Sequence, residues 1–137
     1  MINALHNAKN PYQGSSKKVL CVCSAGLLRS PTTAVVLERK YGYNTRACGI
    51  DLDHALIPLT PVLLYWADEI VVMEPRQKHE VERQLARFRR KNPYIGENKV
   101  KVYNLNVPDM YERMNEELQG IIHKSYAEVI LEEQEEV

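Results

Sequence analysis

The feature of this chain that most constrains its fold is the alternation of short apolar runs with longer amphipathic segments. The apolar runs predict four strands, at residues 17–22, 44–47, 69–73 and 100–105. The amphipathic segments predict four helices, at residues 30–41, 60–67, 75–92 and 114–129. Strands that alternate with helices form a parallel sheet, because each helix carries the chain back along the sheet. We therefore predict an α/β fold with a four-stranded parallel sheet flanked by helices on both faces.

The length and charge of the chain narrow the classes of protein to which it can belong. Its 137 residues suit one domain, which we place at residues 17–137, after a flexible N-terminal arm at residues 1–16. Eighteen basic residues balance eighteen acidic ones, which argues against nucleic acid or a membrane surface as a partner. The arm lacks the apolar core of a signal peptide, so we expect a cytoplasmic protein. The oligomeric state is left open.

One cysteine and one arginine flank the loop after the first predicted strand. Cys23 follows an apolar run, and Arg29 stands six positions later, where a helix begins. Backbone N–H groups in such a strand-to-helix loop can surround a tetrahedral oxyanion. The same amides and the helix N-terminus favour the thiolate form of a cysteine, and a guanidinium can hold two phosphoryl oxygens. The pattern predicts a phosphate-binding loop with a thiolate nucleophile, whereas the alternative for Cys23 alone is an apolar core cysteine.

This segment resembles the signature of the low-molecular-weight protein tyrosine phosphatases, and specifically a short branch of predicted tyrosine phosphatases. The signature has a cysteine, five loop residues, an arginine and Ser-Pro, which here reads Cys23-Ser24-Ala25-Gly26-Leu27-Leu28-Arg29-Ser30-Pro31. The distal acid segment of the family is similar to Val107-Pro108-Asp109-Met110-Tyr111. The resemblance covers about residues 17–118.

The resemblance implies a role for each matching residue. Cys23 is expected to attack phosphorus and form a phosphocysteine, while Arg29 stabilises the phosphoryl oxygens. Ser30 is expected to donate to the thiolate, with a helix N-cap as its alternative role. Asp109 is expected to be the general acid, with a turn aspartate as its alternative role. The phosphate-binding residues are then Ser24, Ala25, Gly26, Leu27, Leu28 and Arg29.

The implied substrate is phosphotyrosine in a protein, or a small aryl phosphate. Leu27 is aliphatic, as in tyrosine-specific members, where arginine-phosphate-specific members have threonine. Tyr111 and His54 are expected to line the substrate slot, although both residue types are also common on solvated surfaces. The loop is expected to bind phosphate, sulfate or vanadate. Thiolate chemistry needs no cofactor, and no cluster in the sequence has metal-ligand spacing, so we expect neither a cofactor nor a metal.

Two alternative functions remain open. Ala25 and Gly26 stand where the family usually has glycine and asparagine, which favours a catalytically weak oxyanion-binding or regulatory domain. An arsenate reductase-like enzyme is the other alternative. Such an enzyme needs resolving cysteines, and only Cys48 follows Cys23.

Three other acidic residues are considered beside Asp109 for the role of general acid. Asp51 and Asp53 are rival acids after the second strand, and Asp68 is expected at a helix end.

Arg83, Arg87 and Arg90 share one predicted helix face. That face is either a docking surface for an acidic partner or a solvated surface.

Overall fold

The computed structural model describes residues 16–24, 29–51, 53, 55–93, 100–108 and 114–135. The strands are β1 Lys18–Cys23, β2 Asn44–Gly49, β3 Glu69–Val72 and β4 Lys101–Asn104. The helices are α1 Arg29–Tyr41, α2 Pro61–Trp66, α3 Pro75–Lys91 and α4 Glu116–Glu135.

The four strands form one parallel sheet in the order β2-β1-β3-β4. The core on one face contains side chains from α1 and α4, and the core on the other face contains side chains from α2 and α3. The predicted architecture is therefore confirmed. Because β1 is central, the residues at its carboxyl end lie where ligands bind in open α/β sheets.

Local signals explain where the helices begin and end. Thr60 caps α2 by accepting a hydrogen bond from the Leu63 N–H at 3.4 Å, as expected for threonine before Pro61. Gly42 follows α1 with a φ of 70°, a left-handed conformation that glycine adopts without strain. The predicted ends of these two helices lie within one residue of those observed.

Two predicted elements had wrong boundaries. The second strand extends to Gly49 rather than ending at residue 47, because it pairs with β1 along its whole length. The last helix begins at Glu116, where the Asn115 side chain accepts from the Leu118 N–H at 3.1 Å. That helix continues to Glu135, beyond the predicted end at residue 129. The glutamates there are good helix formers.

None of the helices in the described ranges combines the length and the apolar character that a membrane-spanning segment requires.

Candidate active site

The carboxyl end of β1 is bound tightly to the segment that follows β2. The Ile50 N–H donates to the Cys23 carbonyl at 3.0 Å, and the Asp51 N–H donates to the Ser24 carbonyl at 2.7 Å. These bonds extend the parallel pairing of β1 and β2 beyond the last strand residues. They fix the backbone on which Cys23 stands. The predicted loop residues Ala25, Gly26, Leu27 and Leu28 lie outside the described residues.

The thiol of Cys23 contacts the hydroxyl of Ser30. The two atoms are 3.1 Å apart, and the thiol donates to the hydroxyl oxygen. The Ser30 hydroxyl in turn donates to the Cys48 carbonyl at 3.2 Å. Ser30 is fully buried and Cys23 nearly so. If Cys23 ionises, the Ser30 proton can turn from the carbonyl to the thiolate, which makes Ser30 a stabiliser of the charged sulfur.

Arg29, the residue before Ser30, is held in a fixed position by two partners. Its guanidinium is nearly buried, and its Nη1 donates to Glu74 Oε2 at 2.8 Å and to the Val107 carbonyl at 3.0 Å. Val107 is in place because its own N–H donates to the Met73 carbonyl at 2.9 Å, beyond the end of β3. A buried cation needs such partners, and here two separate chain segments provide them.

The turn between β3 and α3 supplies residues that the sequence reasoning did not identify. Gln77 is fully buried, and its Oε1 accepts from the N–H groups of Met73 at 2.8 Å and Glu74 at 3.2 Å. Its Nε2 donates to Ser24 Oγ at 3.2 Å. The available signal was the capping-box spacing of Glu74 and Gln77 at the start of a helix. Gln77 therefore ties the start of α3 to the residue next to the nucleophile.

A second arginine reaches the same loop residue from the protein surface. Arg76 Nη2 donates to Ser24 Oγ at 2.6 Å, and its Nε lies 3.7 Å from Glu74 Oε1. The Glu74 carboxylate is thus shared between the buried guanidinium of Arg29 and the exposed one of Arg76. Two guanidinium groups are thus brought to one carboxylate near the loop, and guanidinium groups suit the binding of a phosphoryl dianion.

The other two cysteines are buried core residues. Cys21 lies on the same face of the sheet as Cys23, because the two are two residues apart on β1, whereas Cys48 packs into the core on the opposite face. Burial raises the pKa of both the Cys21 and the Cys48 thiol, with a smaller contribution from neighbouring charges. Cys48 is therefore poorly placed to resolve an intermediate on Cys23, which weakens the arsenate reductase alternative.

The candidate general acids differ in how close they lie to Cys23 and in whether the structure describes them. Asp109, Tyr111 and His54 lie outside the described residues. The Asp68 carboxylate accepts from the Lys18 N–H at 2.9 Å, at the end of β1 opposite Cys23, so Asp68 is excluded as an acid. Asp51 lies beside Ser24 and remains a rival. Within the described ranges, no three histidine, cysteine or acidic residues are grouped to hold a metal ion.

Several solved structures are similar to this one. Three of them are the YwlE arginine phosphatase from Geobacillus stearothermophilus, the tyrosine phosphatase Wzb from Escherichia coli K30 in complex with sulphate, and Vibrio vulnificus Wzb in complex with benzylphosphonate. Their sequence identities to this chain are 18%, 16% and 19%, with TM-scores of 0.57, 0.59 and 0.56. The matches cover 88%, 84% and 89% of this chain, and 96%, 99% and 99% of the respective structures.

The chain has the fold of the low-molecular-weight protein tyrosine phosphatases. The fold expected from the cysteine signature is thereby confirmed over nearly the whole length of these phosphatases. No protein-family model matches the sequence, and no curated protein matches it in a sequence search. Similarity at this level of identity establishes the fold, and the activity has to be argued from the residues of the site.

Proposed function

We propose that this protein is a cysteine-dependent phosphatase that hydrolyses phosphotyrosine or small aryl phosphates through a phosphocysteine intermediate. The observation that carries the proposal is the contact of Cys23 with Ser30 at 3.1 Å, where Ser30 follows the buried, carboxylate-bound Arg29 in the chain. A core cysteine has no need of a buried hydroxyl partner, and a core helix has no need of a buried arginine. Both groups suit a site in which sulfur and phosphoryl oxygens carry negative charge.

In the proposed first step the Cys23 thiolate attacks phosphorus in line with the ester oxygen. The S–P bond forms as the P–O bond to the leaving group breaks, and Asp109 gives its proton to the leaving oxygen. Arg29 and the loop amides at residues 24–29 bind the remaining phosphoryl oxygens. In the second step Asp109 takes a proton from water, the water attacks phosphorus, and the S–P bond breaks to release phosphate.

The assignment of Asp109 rests on the path of the chain just before it. The carbonyl of Val107, two residues earlier, accepts a hydrogen bond from Arg29. The chain thus passes the phosphoryl-binding guanidinium immediately before this aspartate. Asp51 is the rival, because its backbone N–H is bonded to the Ser24 carbonyl.

The proposed substrate class follows from the residue types expected to line the substrate slot, and not from the reacting groups. Leu27 is aliphatic and Tyr111 is aromatic, and both suit a phenyl ring. Among the similar structures, YwlE is an arginine phosphatase, whereas one Wzb structure holds benzylphosphonate, an aromatic phosphonate. We place this chain with the aryl type on the residue at position 27. We also propose that it acts in the cytoplasm, on phosphorylated proteins or small aryl phosphates.

The function is tested by hydrolysis of para-nitrophenyl phosphate between pH 5 and 7, compared among wild type, Cys23→Ser, Asp109→Asn and Asp51→Asn. We expect no turnover by Cys23→Ser. We expect a loss of roughly 10²–10⁴-fold in kcat for Asp109→Asn, the usual contribution of a general acid, and a much smaller loss for Asp51→Asn. Turnover that survives Cys23→Ser would refute the mechanism. A larger loss in Asp51→Asn would reassign the acid.

The same assay with phosphotyrosine and phosphoarginine compares the two substrate classes, and we expect phosphotyrosine to be preferred. Absent turnover, with vanadate still protecting Cys23 from alkylation, would instead select the oxyanion-binding alternative that Ala25 and Gly26 motivate.

A further inference from the structure

A groove with one cationic wall lies between α2 and α3. Its volume is about 590 Å³, and Arg83, Arg87 and Lys91 line it from successive turns of α3. Arg83 pairs with Glu80 at 2.6 Å, whereas Arg87 and Lys91 pair with no acidic side chain among the described residues. Lys91 lines the groove and Arg90 does not, although the sequence places Arg90 on one helix face with Arg83 and Arg87. Two exposed cations thus border a concave surface.

The floor of the groove is apolar. Leu59 and Leu64 lie beneath it, together with the half-buried ring of Phe88. On the α2 side, Tyr65 is 59% exposed, and its ring centroid lies 6.4 Å from that of Phe88. An occupant that fits both surfaces needs apolar side chains for the floor and negative charges for the α3 wall.

The groove begins next to the nucleophile. Ile50 lines it, and the Ile50 N–H is bonded to the Cys23 carbonyl. At the other side of the loop, α3 begins beside Ser24, which Arg76 contacts. The helix that carries the cationic wall therefore starts at the phosphate-binding loop and leads away from it.

The helix geometry sets the distance between the two sites. Arg83 is seven residues and Arg87 eleven residues beyond Arg76, which corresponds to about 10 and 16 Å along the axis at ~1.5 Å per residue. An extended peptide covers ~3.3 Å per residue. The two cations thus lie about three and five peptide residues from a phosphate bound at the loop.

We propose that the α2–α3 groove binds an acidic, partly apolar segment of a phosphoprotein substrate, three to five residues from the phosphorylated side chain. The proposal rests on the proposed phosphatase function, to which it adds a substrate class. The charges favour such a peptide over nucleic acid, since the chain as a whole is neutral and α3 alone carries seven basic residues against two acidic ones. The apolar floor suits a peptide better than a sugar-phosphate backbone.

The test compares two phosphotyrosine peptides. One has glutamate and the other glutamine at the third to fifth positions before and after the phosphotyrosine, and they are otherwise identical. The measured quantity is the ratio of kcat/KM for the acidic peptide to that for the neutral one. We expect the wild-type ratio to be about tenfold at low salt, and to shrink as salt screens the charges. In Arg87→Glu, we expect the ratio to fall to one or below.

Arg90→Glu is the matched control, because Arg90 carries the same charge on the same helix outside the groove. Its ratio should remain within twofold of that of wild type. Thermal unfolding of both variants shows whether either has lost the fold. A wild-type ratio near one, or an equal fall in Arg90→Glu, would overturn the proposal.

A binding measurement separates this proposal from the catalytic one. Fluorescence anisotropy of the two labelled peptides with Cys23→Ser gives the same ratio in Kd without turnover. Groove-dependent binding by a protein that fails to hydrolyse phosphate esters would refute the proposed phosphatase and retain the docking site. No preference in binding, combined with concentration-dependent self-association that Arg87→Glu abolishes, would assign the groove to a second copy of the chain and overturn the proposal.

Discussion

Ser30→Ala removes the hydroxyl that contacts the nucleophile and tests how the site stabilises sulfur. In the uncharged site the Cys23 thiol donates to Ser30, and Ser30 donates to the Cys48 carbonyl. When phosphocysteine is hydrolysed the departing sulfur becomes a thiolate, and Ser30 then has to donate to it. A hydrogen bond to a charged group contributes about 1.5–3 kcal/mol, against about 0.5–1.5 kcal/mol for the neutral bond to the carbonyl that is given up.

The net stabilisation is therefore about 1–2 kcal/mol, which corresponds to roughly 5–30-fold in rate. We expect kcat of Ser30→Ala to fall by that factor, because the second step becomes slower. Stopped-flow mixing with para-nitrophenyl phosphate should show a burst of nitrophenolate approaching one equivalent per site, followed by the slow steady state. A kcat within twofold of wild type and no burst would refute the reasoning.

Thr45→Val is the matched control for Ser30→Ala. The buried Thr45 hydroxyl donates to the Ala34 carbonyl at 2.9 Å, away from Cys23. The substitution removes a buried hydroxyl of the same kind and affects stability to a similar extent. We expect kcat of this variant to stay within twofold of wild type. If Thr45→Val showed the same slow steady state as Ser30→Ala, the Ser30 hydroxyl would act only through packing and not through its bond to sulfur.

Two further predictions concern stability and are checked by urea unfolding. Gln77→Leu leaves the N–H groups of Met73 and Glu74 without their acceptor. The free energy of unfolding should therefore fall by about 2–4 kcal/mol. A loss below about 1 kcal/mol would contradict the bridging role of this side chain. Tyr126→Phe removes the hydroxyl that donates to the buried carboxylate of Glu69 at 2.8 Å. The free energy of unfolding should fall by about 1–3 kcal/mol. An unchanged unfolding midpoint would show that the carboxylate has other sufficient donors.

The sequence was sufficient for the features that depend on local pattern. The apolar periodicity predicted the alternation of strands and helices, and the cysteine signature placed Cys23, Arg29 and Ser30 around one loop. Thr60 and Gly42 marked helix ends through their own conformational preferences. The start of α4 was missed because Asn115 follows Met114, whose φ of 63° is unusual for a residue with a side chain.

The parts that the sequence did not predict depend on how separate segments meet. Glu74 reads as an ordinary residue before a helix, and only the parallel pairing of β1 with β3 brings its carboxylate to Arg29. Gln77 is a surface residue type that is fully buried here because it caps one element and binds another. Lys91 faces the groove in place of Arg90 because the packing of α3 against α2 and the sheet sets the rotation of the helix.

The most direct test of the account is to look for the covalent intermediate. Asp109→Asn protein is mixed with para-nitrophenyl phosphate, quenched during turnover and digested, and the peptides are analysed by mass spectrometry. The account predicts one phosphoryl group on the peptide that contains Cys23, and none when Cys23 is also replaced by alanine and turnover has stopped. Continued turnover with the phosphoryl group on another residue, or with Cys23 replaced, would contradict it.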